Sequence, residues 1–325
     1  MQITLVPCPN GMGHFNRLVK LASYFNTTNI NLVCTKEQER KFKNKLNINI
    51  KLRSVLHEIN LKFNPYPKLL KFYNLNFLKY KFFYNSDIII SDNLINKDFY
   101  KKKFFIISNF FWSEVFYSNC ENKKNYLKIE DAFIEKQIFF TNKYFCTKKA
   151  QKYGEKINFI DKKFCDPKKF VNLKKKKILI YLGKNEKISK DLYFSLINLN
   201  YKTVTNNNAL IKLGCEKFDF SDRSFSNLKF IFAKAGLGTI FDSIKFKIPI
   251  IVFRNKKNLE YESNLKKILK YNIGSYIDAN ISKNSLEKKI HFINGKKYSK
   301  FLKNFSKFKF NGGQQIKTFL DNSEK

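Results

Sequence analysis

The sequence is poor in the residues that build disulfide frameworks, zinc sites and membrane spans. Six cysteines are scattered among 325 residues and form no C-x-x-C pair. This pattern favours reduced thiols in a cytosol over disulfides or bound zinc. No segment approaches the roughly 20 apolar residues that cross a bilayer. The first apolar run is too short for a secretory signal and lacks a basic start, so the sequence predicts a cytoplasmic protein.

Acidic residues are scarce, and their scarcity leaves a large positive charge. Lys and Arg number 63 against 26 Asp and Glu, for a net charge of +37. Such an excess is typical of proteins that bind nucleic acid or anionic membranes. Neither zinc-finger spacing nor an RRM-like aromatic box is present, so no specific nucleic-acid partner is predicted. The lysines are spread along the whole chain together with Phe, Asn and Ile, and all four residue types have AT-rich codons. Codon bias is therefore the main explanation, and peripheral attachment to the inner face of the membrane is the functional alternative.

Apolar strands alternate with helical stretches along the chain, which predicts an α/β protein with parallel sheets. The length suits two domains, and the lysine-rich stretch 161–177 is typical of a linker. We therefore predict domains at 1–165 and 166–325. In the first half, strands are expected near 2–6, 30–34, 48–55, 87–91, 104–108 and 143–147, and helices over 14–25, 36–46, 66–84 and 128–140. A further strand over 178–182 begins the second domain.

Residues 233–264 contain the most informative pattern. A short turn with Gly236 and Gly238 opens an amphipathic helix that is expected to end near Lys247 and to carry Asp242 in its first turn. Glycines let a backbone approach an anion, and a helix N-terminus offers free N–H groups and positive partial charge. An acid just inside the helix can accept hydrogen bonds from a sugar diol. The pattern predicts a phosphate-and-ribose site, and the alternative is an ordinary glycine turn.

The N-terminal segment has a second pattern of this kind. The apolar strand 2–6 is followed by a loop with Gly11, Gly13 and His14, and then by a helix with apolar residues at helical spacing. A histidine at this place is either a general base or a helix-capping and surface residue. A glycine loop after the strand at 178–182 adds Gly183 and Lys184. Lys184 is either a phosphate contact or a solvated loop lysine.

These patterns together resemble the nucleotide-sugar signature of GT-B glycosyltransferases, especially the bacterial UDP-GlcNAc transferases of peptidoglycan synthesis. The family pattern runs A-G-x-G-T-x-x-E, then P-x-I-x-x-P, then D-x-Q-x-x-x-N-A. The positions that match or correspond are Ala235, Gly236, Gly238, Thr239, Asp242, Pro249, Asn258, Glu260, Asn264 and Leu265. Asp242 replaces the family's ribose-binding Glu with a shorter side chain. Glu260 replaces Gln and adds negative charge, while Leu265 replaces Ala.

Two further segments are similar to this superfamily. The G-x-G-H-x-x-R pattern ending at Arg17 resembles its first loop and that of a UDP-sugar hydrolase of pseudaminic acid synthesis, where the His is the proposed general base. The strands ending in Ser91-Asp92 and Ser108-Asn109 resemble segments of predicted glycosyltransferases and of arabinose kinases. The alternative for the latter pair is two ordinary core strands, with Trp112 as core packing.

The resemblance implies two Rossmann-like domains that face each other across a cleft, an acceptor-side domain first and a nucleotide-sugar domain second. The last helix, over 311–321, would pack back on the first domain. His14 would be the catalytic base, and Lys184 or Arg254 would stabilise the leaving diphosphate. The implied donor-binding residues are Gly11, Gly13, Gly183, Lys184, Ala235, Gly236, Gly238, Thr239, Asp242, Arg254, Glu260 and Asn264.

The implied function is transfer of a hexosyl or N-acetylhexosaminyl group from a nucleotide sugar, with UDP as the nucleotide, to an envelope or lipid-linked acceptor. The resemblance implies no cofactor and no bound metal, and the sequence has no D-x-D cluster or H-E-x-x-H motif that would contradict this. A nucleotide-sugar hydrolase and a non-catalytic nucleotide-sugar or anion-binding protein of the same fold are the alternatives.

Overall fold

The computed structural model describes residues 1–9, 12–25, 29–43, 46, 49–56, 65–116, 121–161, 177–183, 186–254, 256, 258–278 and 281–323. The chain divides into two compact units. The first unit is Met1–Cys165 with Lys309–Lys325, and the second is Asp166–Phe308. The expected linker at 161–177 lies almost wholly outside the described residues.

The strands of the first unit form a parallel sheet in the order β3-β2-β1-β4-β5-β6-β7. These strands are β1 Gln2–Pro7, β2 Asn29–Val33, β3 Ile50–Arg53, β4 Ile88–Asp92, β5 Lys103–Ile107, β6 Phe139–Asn142 and β7 Glu155–Ile157. The helices are α1 Met12–Ala22, α2 Lys36–Phe42, α3 Tyr66–Tyr73, α4 Lys81–Tyr84, α5 Trp112–Val115, α6 Glu121–Lys136 and α7 Lys148–Tyr153. The chain winds in opposite directions from β1 and β4, so the sheet has its topological switch point between these two strands.

The second unit repeats this plan with a sheet in the order β10-β9-β8-β11-β12-β13, again parallel. Its strands are β8 Lys177–Tyr181, β9 Lys202–Thr205, β10 Glu216–Lys217, β11 Leu228–Ala233, β12 Ile250–Arg254 and β13 Gly274–Asp278. Its helices are α8 Glu186–Asn198, α9 Asn208–Ile211, α10 Asp222–Ser226, α11 Leu237–Lys245, α12 Leu259–Tyr271, α13 Lys283–Phe292 and α14 Tyr298–Asn304. Here the switch point lies between β8 and β11.

The last helix, α15 Gly312–Asn322, packs on the first unit. Ile316 and Leu320 join the apolar cluster that covers one face of the first sheet. Two glycines allow this close approach. A Cβ atom on Gly312 would lie 2.2 Å from the carbonyl oxygen of Asn158, and one on Gly313 would lie 2.2 Å from the ring of Tyr24. The sequence Gly312-Gly313 is therefore explained by packing.

One long helix expected over 66–84 was wrong, because two helices with a turn between them occupy this range. Asn96, which follows β4, donates from its side-chain amide to the carbonyls of Phe72 at 2.6 Å and Leu75 at 2.9 Å. Asp98 accepts from the backbone N–H of Phe77 at 2.8 Å. These groups take over hydrogen bonds that a continuous helix would make internally, so tertiary contacts end α3.

The expected helix over 128–140 and strand over 143–147 were also misplaced. Helix α6 ends at Lys136, and Phe139 and Phe140 begin β6, where they pair with Ile106 and Ile107. Residues 143–145 form bends beyond that strand, and 146–147 have no regular structure. Apolar runs of this length fit either a helix or a buried strand by pattern alone. Pairing with β5 decides in favour of the strand.

Candidate functional site

The switch point of the first sheet holds three polar side chains in one network. His14 and Arg17 lie three residues apart on α1, so they share one helix face. Asp92 is the last residue of β4 and is fully buried, with 0% of its side chain exposed. His14 Nδ1 lies 2.7 Å from Asp92 Oδ1. Arg17 donates to both carboxylate oxygens, from Nε to Oδ2 at 2.7 Å and from Nη2 to Oδ1 at 2.5 Å.

These distances decide which ring nitrogen of a neutral His14 carries the proton. A carboxylate oxygen only accepts hydrogen bonds, so a separation of 2.7 Å requires the proton on Nδ1. Arg17 Nη2 is farther from Nδ1, at 3.3 Å. With Nδ1–H bound to Asp92, the lone pair is on Nε2, the arrangement of a general base held by a carboxylate.

Asp92 is held in its ionised form. Burial by itself raises the pKa of Asp92, but the positive charge of Arg17 and the contact with His14 outweigh burial and lower that pKa below its ordinary value. Asp92 is therefore a permanent anion at neutral pH, available to orient the imidazole. Sequence reasoning quoted Asp92 as part of a strand motif but did not place it in the site. Its position at the end of an apolar strand was the signal that could have found it.

The glycines of the first loop differ in what the structure says about them. Gly11 lies outside the described residues. Gly13 is exposed in the first turn of α1, and a Cβ atom there would meet nothing within 4 Å. Packing therefore does not explain glycine at position 13, in contrast to Gly312 and Gly313.

The switch point of the second sheet joins the loops that follow β8 and β11. Gly183 has φ of +65°, a left-handed conformation that favours glycine. A Cβ atom on Gly183 would lie 3.1 Å from Nζ of Lys234, so the side chain of Lys234 crosses over this glycine. Lys184 lies outside the described residues. Lys234 was missed by sequence reasoning, although it directly precedes the Ala235–Thr239 turn.

Helix α11 begins at Leu237 with Gly236 as its N-cap, and no side chain caps it. Gly236 and Gly238 have open space around them, because a Cβ atom on either would meet nothing within 4 Å. Thr239 is the third residue of the helix. A glycine in a helical turn costs roughly 1 kcal/mol relative to alanine. Neither glycine is explained by packing or by a positive φ, which leaves space for a ligand at an N-terminus with free N–H groups.

A buried amide connects this turn to the next helix. Asn264 of α12 is 6% exposed, and its Nδ2 donates to the carbonyl oxygen of Ala235 at 2.9 Å. Asn258 caps α12 by accepting from the N–H of Tyr261 at 3.0 Å. The expected donor residue Asn264 thus contacts the turn at Ala235 and fixes its course.

Asp242 is not in the first turn of α11, as the sequence suggested, because the helix begins at Leu237 and Asp242 is its sixth residue. It is half-buried and acts on Tyr181, the last residue of β8. Burial first, and the Asp242 carboxylate second, raise the pKa of Tyr181. Asp242 and Tyr181 therefore lie near each other on the side of the second sheet where β8 ends.

The remaining predicted donor residues lie at the end of β12 and at the start of α12. Arg254 donates to Glu262 from Nε at 3.0 Å and from Nη2 at 3.0 Å. This pair joins the end of β12 to the first turn of α12, and Glu262 was not singled out from the sequence. Glu260 is half-buried at the second position of α12. Its charge, after burial, raises the pKa of Tyr261.

The described part of the chain contains neither a cluster of metal ligands nor a helix that could span a membrane. No three His, Cys, Asp or Glu side chains come together there in a way that could hold a metal ion. Among the helices of the described ranges, none combines the length and apolar character needed to cross a bilayer.

No protein-family model matches the sequence, and no curated protein matches it. Solved structures do match over the whole chain. The glycotransferase of kitacinnamycin is 11% identical with a TM-score of 0.68, over 99% of this chain and 98% of that one. Spinosyn rhamnosyltransferase SpnG, complexed with spinosyn aglycone, is 10% identical with a TM-score of 0.68, over 98% and 100%. Phytolacca americana UGT2, complexed with UDP-2-fluoro-glucose and pterostilbene, is 10% identical with a TM-score of 0.65, over 99% of each chain.

At these identities the likeness establishes the fold. The α/β prediction with two parallel sheets is confirmed, and the chain has the GT-B fold of these glycosyltransferases. The narrower resemblance to peptidoglycan UDP-GlcNAc transferases rests on the sequence pattern.

Proposed function

We propose that this protein is a glycosyltransferase that moves a sugar from a UDP-sugar donor to an acceptor hydroxyl. The observation that carries the proposal is the His14–Asp92 pair, in which a buried carboxylate holds Nδ1–H and leaves Nε2 with its lone pair. His14 is 18% exposed, so an acceptor can reach it. An oriented imidazole of this kind suits general-base catalysis.

The donor is proposed to bind the second unit. The diphosphate lies beside Gly236 at the N–H groups of Gly238 and Thr239, where helix α11 begins and its dipole favours anions. The ribose hydroxyls bind Asp242. Lys234, whose side chain lies over Gly183, supplies a positive charge. Lys184, which follows Gly183 in the sequence, is proposed to add a second positive charge.

The remaining donor residues are proposed to shape this site. Asn264 holds the turn through its hydrogen bond to Ala235. Glu260 and Arg254 are proposed to lie near the sugar of the donor. Arg254 would contact both Glu262 and the leaving diphosphate. Gly13 leaves open space next to His14 in the chain, and Gly11 keeps the donor-binding role that the sequence pattern predicts.

In the proposed reaction, Nε2 of His14 takes the proton of the acceptor hydroxyl. The acceptor oxygen forms a bond to the anomeric carbon, and the bond from that carbon to the diphosphate oxygen breaks. UDP leaves with the electron pair, and its negative charge is stabilised by the α11 N-terminus and Lys234.

Release of UDP from a panel of UDP-sugars, with and without a cell-envelope extract, tests the proposal. Release that depends on an acceptor supports a transferase. Stoichiometric release without an acceptor indicates a hydrolase in which His14 activates water. Binding without turnover contradicts both and indicates a non-catalytic binding protein.

The role of His14 is tested by His14→Asn. We expect kcat to fall by about 10²–10⁴ with little change in UDP affinity, because a general base acts in the chemical step. His291→Asn is the matched control, since His291 is an exposed residue of α13. Full activity of the His14 variant would make His14 a loop or capping residue.

The finer identity is proposed from the resemblance and the charge: a hexosyl or N-acetylhexosaminyl donor and an envelope or lipid-linked acceptor reached by peripheral attachment to an anionic membrane. Basic side chains near such a surface contribute on the order of 1 kcal/mol each. Sedimentation with anionic vesicles tests the attachment. Binding that disappears near 1 M salt, where the Debye length is about 3 Å, supports it. Absence of binding at low salt contradicts it.

A further inference from the structure

We propose that Arg17 is a positioning residue that keeps His14 singly protonated at rest by sharing the carboxylate of Asp92. This inference rests on the proposed role of His14 as a general base. Arg17 sets the resting state of that base.

The Asp92 carboxylate has no charged residue in register with it on either neighbouring strand. In register with Asp92 on the two neighbouring strands are Pro7 of β1 and Ile107 of β5, neither of which carries a charge. The charged and titratable groups that act on Asp92 are Arg17 and His14, both from α1. A fully buried carboxylate needs a positive partner. Only these two side chains are in place to supply one within the described residues.

Arg17 supplies the positive partner that the buried carboxylate of Asp92 needs. Its guanidinium contacts both oxygens of Asp92 from Nε and Nη2, at 2.7 and 2.5 Å. This bidentate arrangement is the strongest form of charge-assisted hydrogen bonding to a carboxylate. Arginine stays protonated under all ordinary conditions. Asp92 is therefore neutralised whether or not His14 carries a second proton.

The presence of Arg17 decides whether His14 has to provide the positive charge next to Asp92. Without Arg17, the buried anion would draw a second proton onto the imidazole to gain a positive partner. The doubly protonated ring has no lone pair and cannot act as a base. Arg17 Nη2, at 3.3 Å from Nδ1, also repels such a charge directly. His14 is the third residue of α1, where the helix N-terminus adds a further bias against a cation.

The inferred division of labour is that Asp92 orients the ring and selects the tautomer, while Arg17 sets its resting protonation. When the reaction adds the acceptor proton to Nε2, the Arg17–Asp92 pair stays intact. The proton therefore remains on His14, because the ionised Asp92 retains its two hydrogen bonds from Arg17.

The chain offers a matched control on the same helix. Lys20 of α1 pairs with Asp161, whose side chain is 5% exposed, at 3.7 Å. Lys20→Met removes one positive charge beside a largely buried carboxylate, as Arg17→Met does, but leaves the Asp92 network untouched.

The test is NMR of the full chain labelled with ¹⁵N-histidine, which distinguishes the two singly protonated forms of the ring from the doubly protonated form. The sequence has three histidines, so His14→Asn identifies the His14 signals. At pH about 7.5, we expect wild-type His14 to be singly protonated on Nδ1. In Arg17→Met the doubly protonated form should predominate, whereas Lys20→Met should match the wild type.

Two further variants guard against misfolding of Arg17→Met, with thermal melting as the check on folding. Arg17→Gln keeps an N–H donor for Asp92 but removes the charge, and it should behave as Arg17→Met does. Arg17→Lys keeps the charge and should restore the singly protonated ring. If folded Arg17→Met or Arg17→Gln, the two neutral variants, shows the His14 spectrum of the wild type, the proposal is overturned. A doubly protonated ring in Arg17→Lys overturns it as well.

Kinetics separate this proposal from the proposed function. With an active donor and acceptor, the neutral variants should lower kcat about tenfold and leave the donor KM within about twofold, since donor binding does not involve Arg17. If no UDP-sugar is turned over but the NMR result holds, the glycosyltransferase proposal fails and the role of Arg17 stands. If the wild type transfers sugar and the neutral variants match it, the role of Arg17 fails and the function stands.

Discussion

The two units place their candidate residues at the same topological position but leave that position in opposite states. At the switch point of the first sheet, His14 and Arg17 satisfy both oxygens of the Asp92 carboxylate with hydrogen bonds. At the switch point of the second sheet, Gly236 and Gly238 leave the N-terminus of α11 uncapped by any side chain and open. The first site is preorganised by its own side chains, whereas the second provides backbone groups and space. A base must be oriented before the substrate arrives, while a diphosphate site must leave room for the ligand.

The largest effect is expected from breaking the network of Asp92, His14 and Arg17. Asp92→Ala leaves Arg17 without its buried partner, and loss of one member of a buried ion pair typically costs about 3–5 kcal/mol. We expect urea denaturation to show a loss of unfolding free energy at the lower end of this range, because Arg17 is partly exposed. Asp87→Ala is the control, because the exposed Asp87 directly precedes the same strand and pairs with the N-terminus. Its cost should stay below about 1 kcal/mol. Equal costs in the two variants would contradict a special role for the Asp92 network.

The same network predicts a pH dependence. The folded state lowers the pKa of Asp92, so its contribution is fully present above the unfolded pKa of about 3.9. That contribution is lost as the pH falls from there through the folded pKa. Asp92→Asn should therefore show a flatter fall of stability on the acid side of pH 4 than the wild type, measured by denaturation at a series of pH values. Parallel curves would indicate that Asp92 is not held ionised by folding.

The third prediction tests the open site. Asp242→Ala should weaken UDP binding about ten- to a hundredfold, since a lost charge-assisted hydrogen bond costs roughly 1.5–3 kcal/mol. Calorimetry with UDP measures the change. Asp222→Ala is a suitable control, because Asp222 lies in the same unit, is half exposed and pairs with Lys245. Unchanged UDP affinity in Asp242→Ala would defeat the placement of the ribose.

The smallest expected effect distinguishes glycines that serve packing from glycines that serve a ligand. Gly238→Ala should leave stability unchanged or raise it by up to about 1 kcal/mol, because its Cβ meets nothing within 4 Å. Its UDP affinity should nevertheless fall. Gly312→Ala should instead lose about 1–3 kcal/mol of stability, since its Cβ would lie 2.2 Å from a carbonyl oxygen. Its UDP affinity should not change. The reverse pattern would show that α11 does not receive the diphosphate.

Much of the fold could be predicted because apolar runs and their period are local properties. The strands at 2–6, 30–34, 87–91, 104–108 and 178–182 all appear within a residue or two of their expected bounds. The misplaced elements were those whose pattern suited two structures. The end of α3 depends on Asn96 and Asp98, which lie more than 20 residues away in sequence. No property of residues 66–84 alone indicates that side chains from elsewhere will take over the backbone hydrogen bonds there.

For the candidate sites, the sequence by itself determined which segments carry reactive and flexible residues: His14 after a strand, and glycines at the start of α11. Only the tertiary structure decided their partners. His14 meets Asp92 across 78 residues, and Asn264 meets Ala235 across 29. Lys234 reaches Gly183 from another strand. The reason is that strand order brings distant chain segments to one sheet edge, and the charge, burial and hydrogen bonding of a site depend on those distant neighbours.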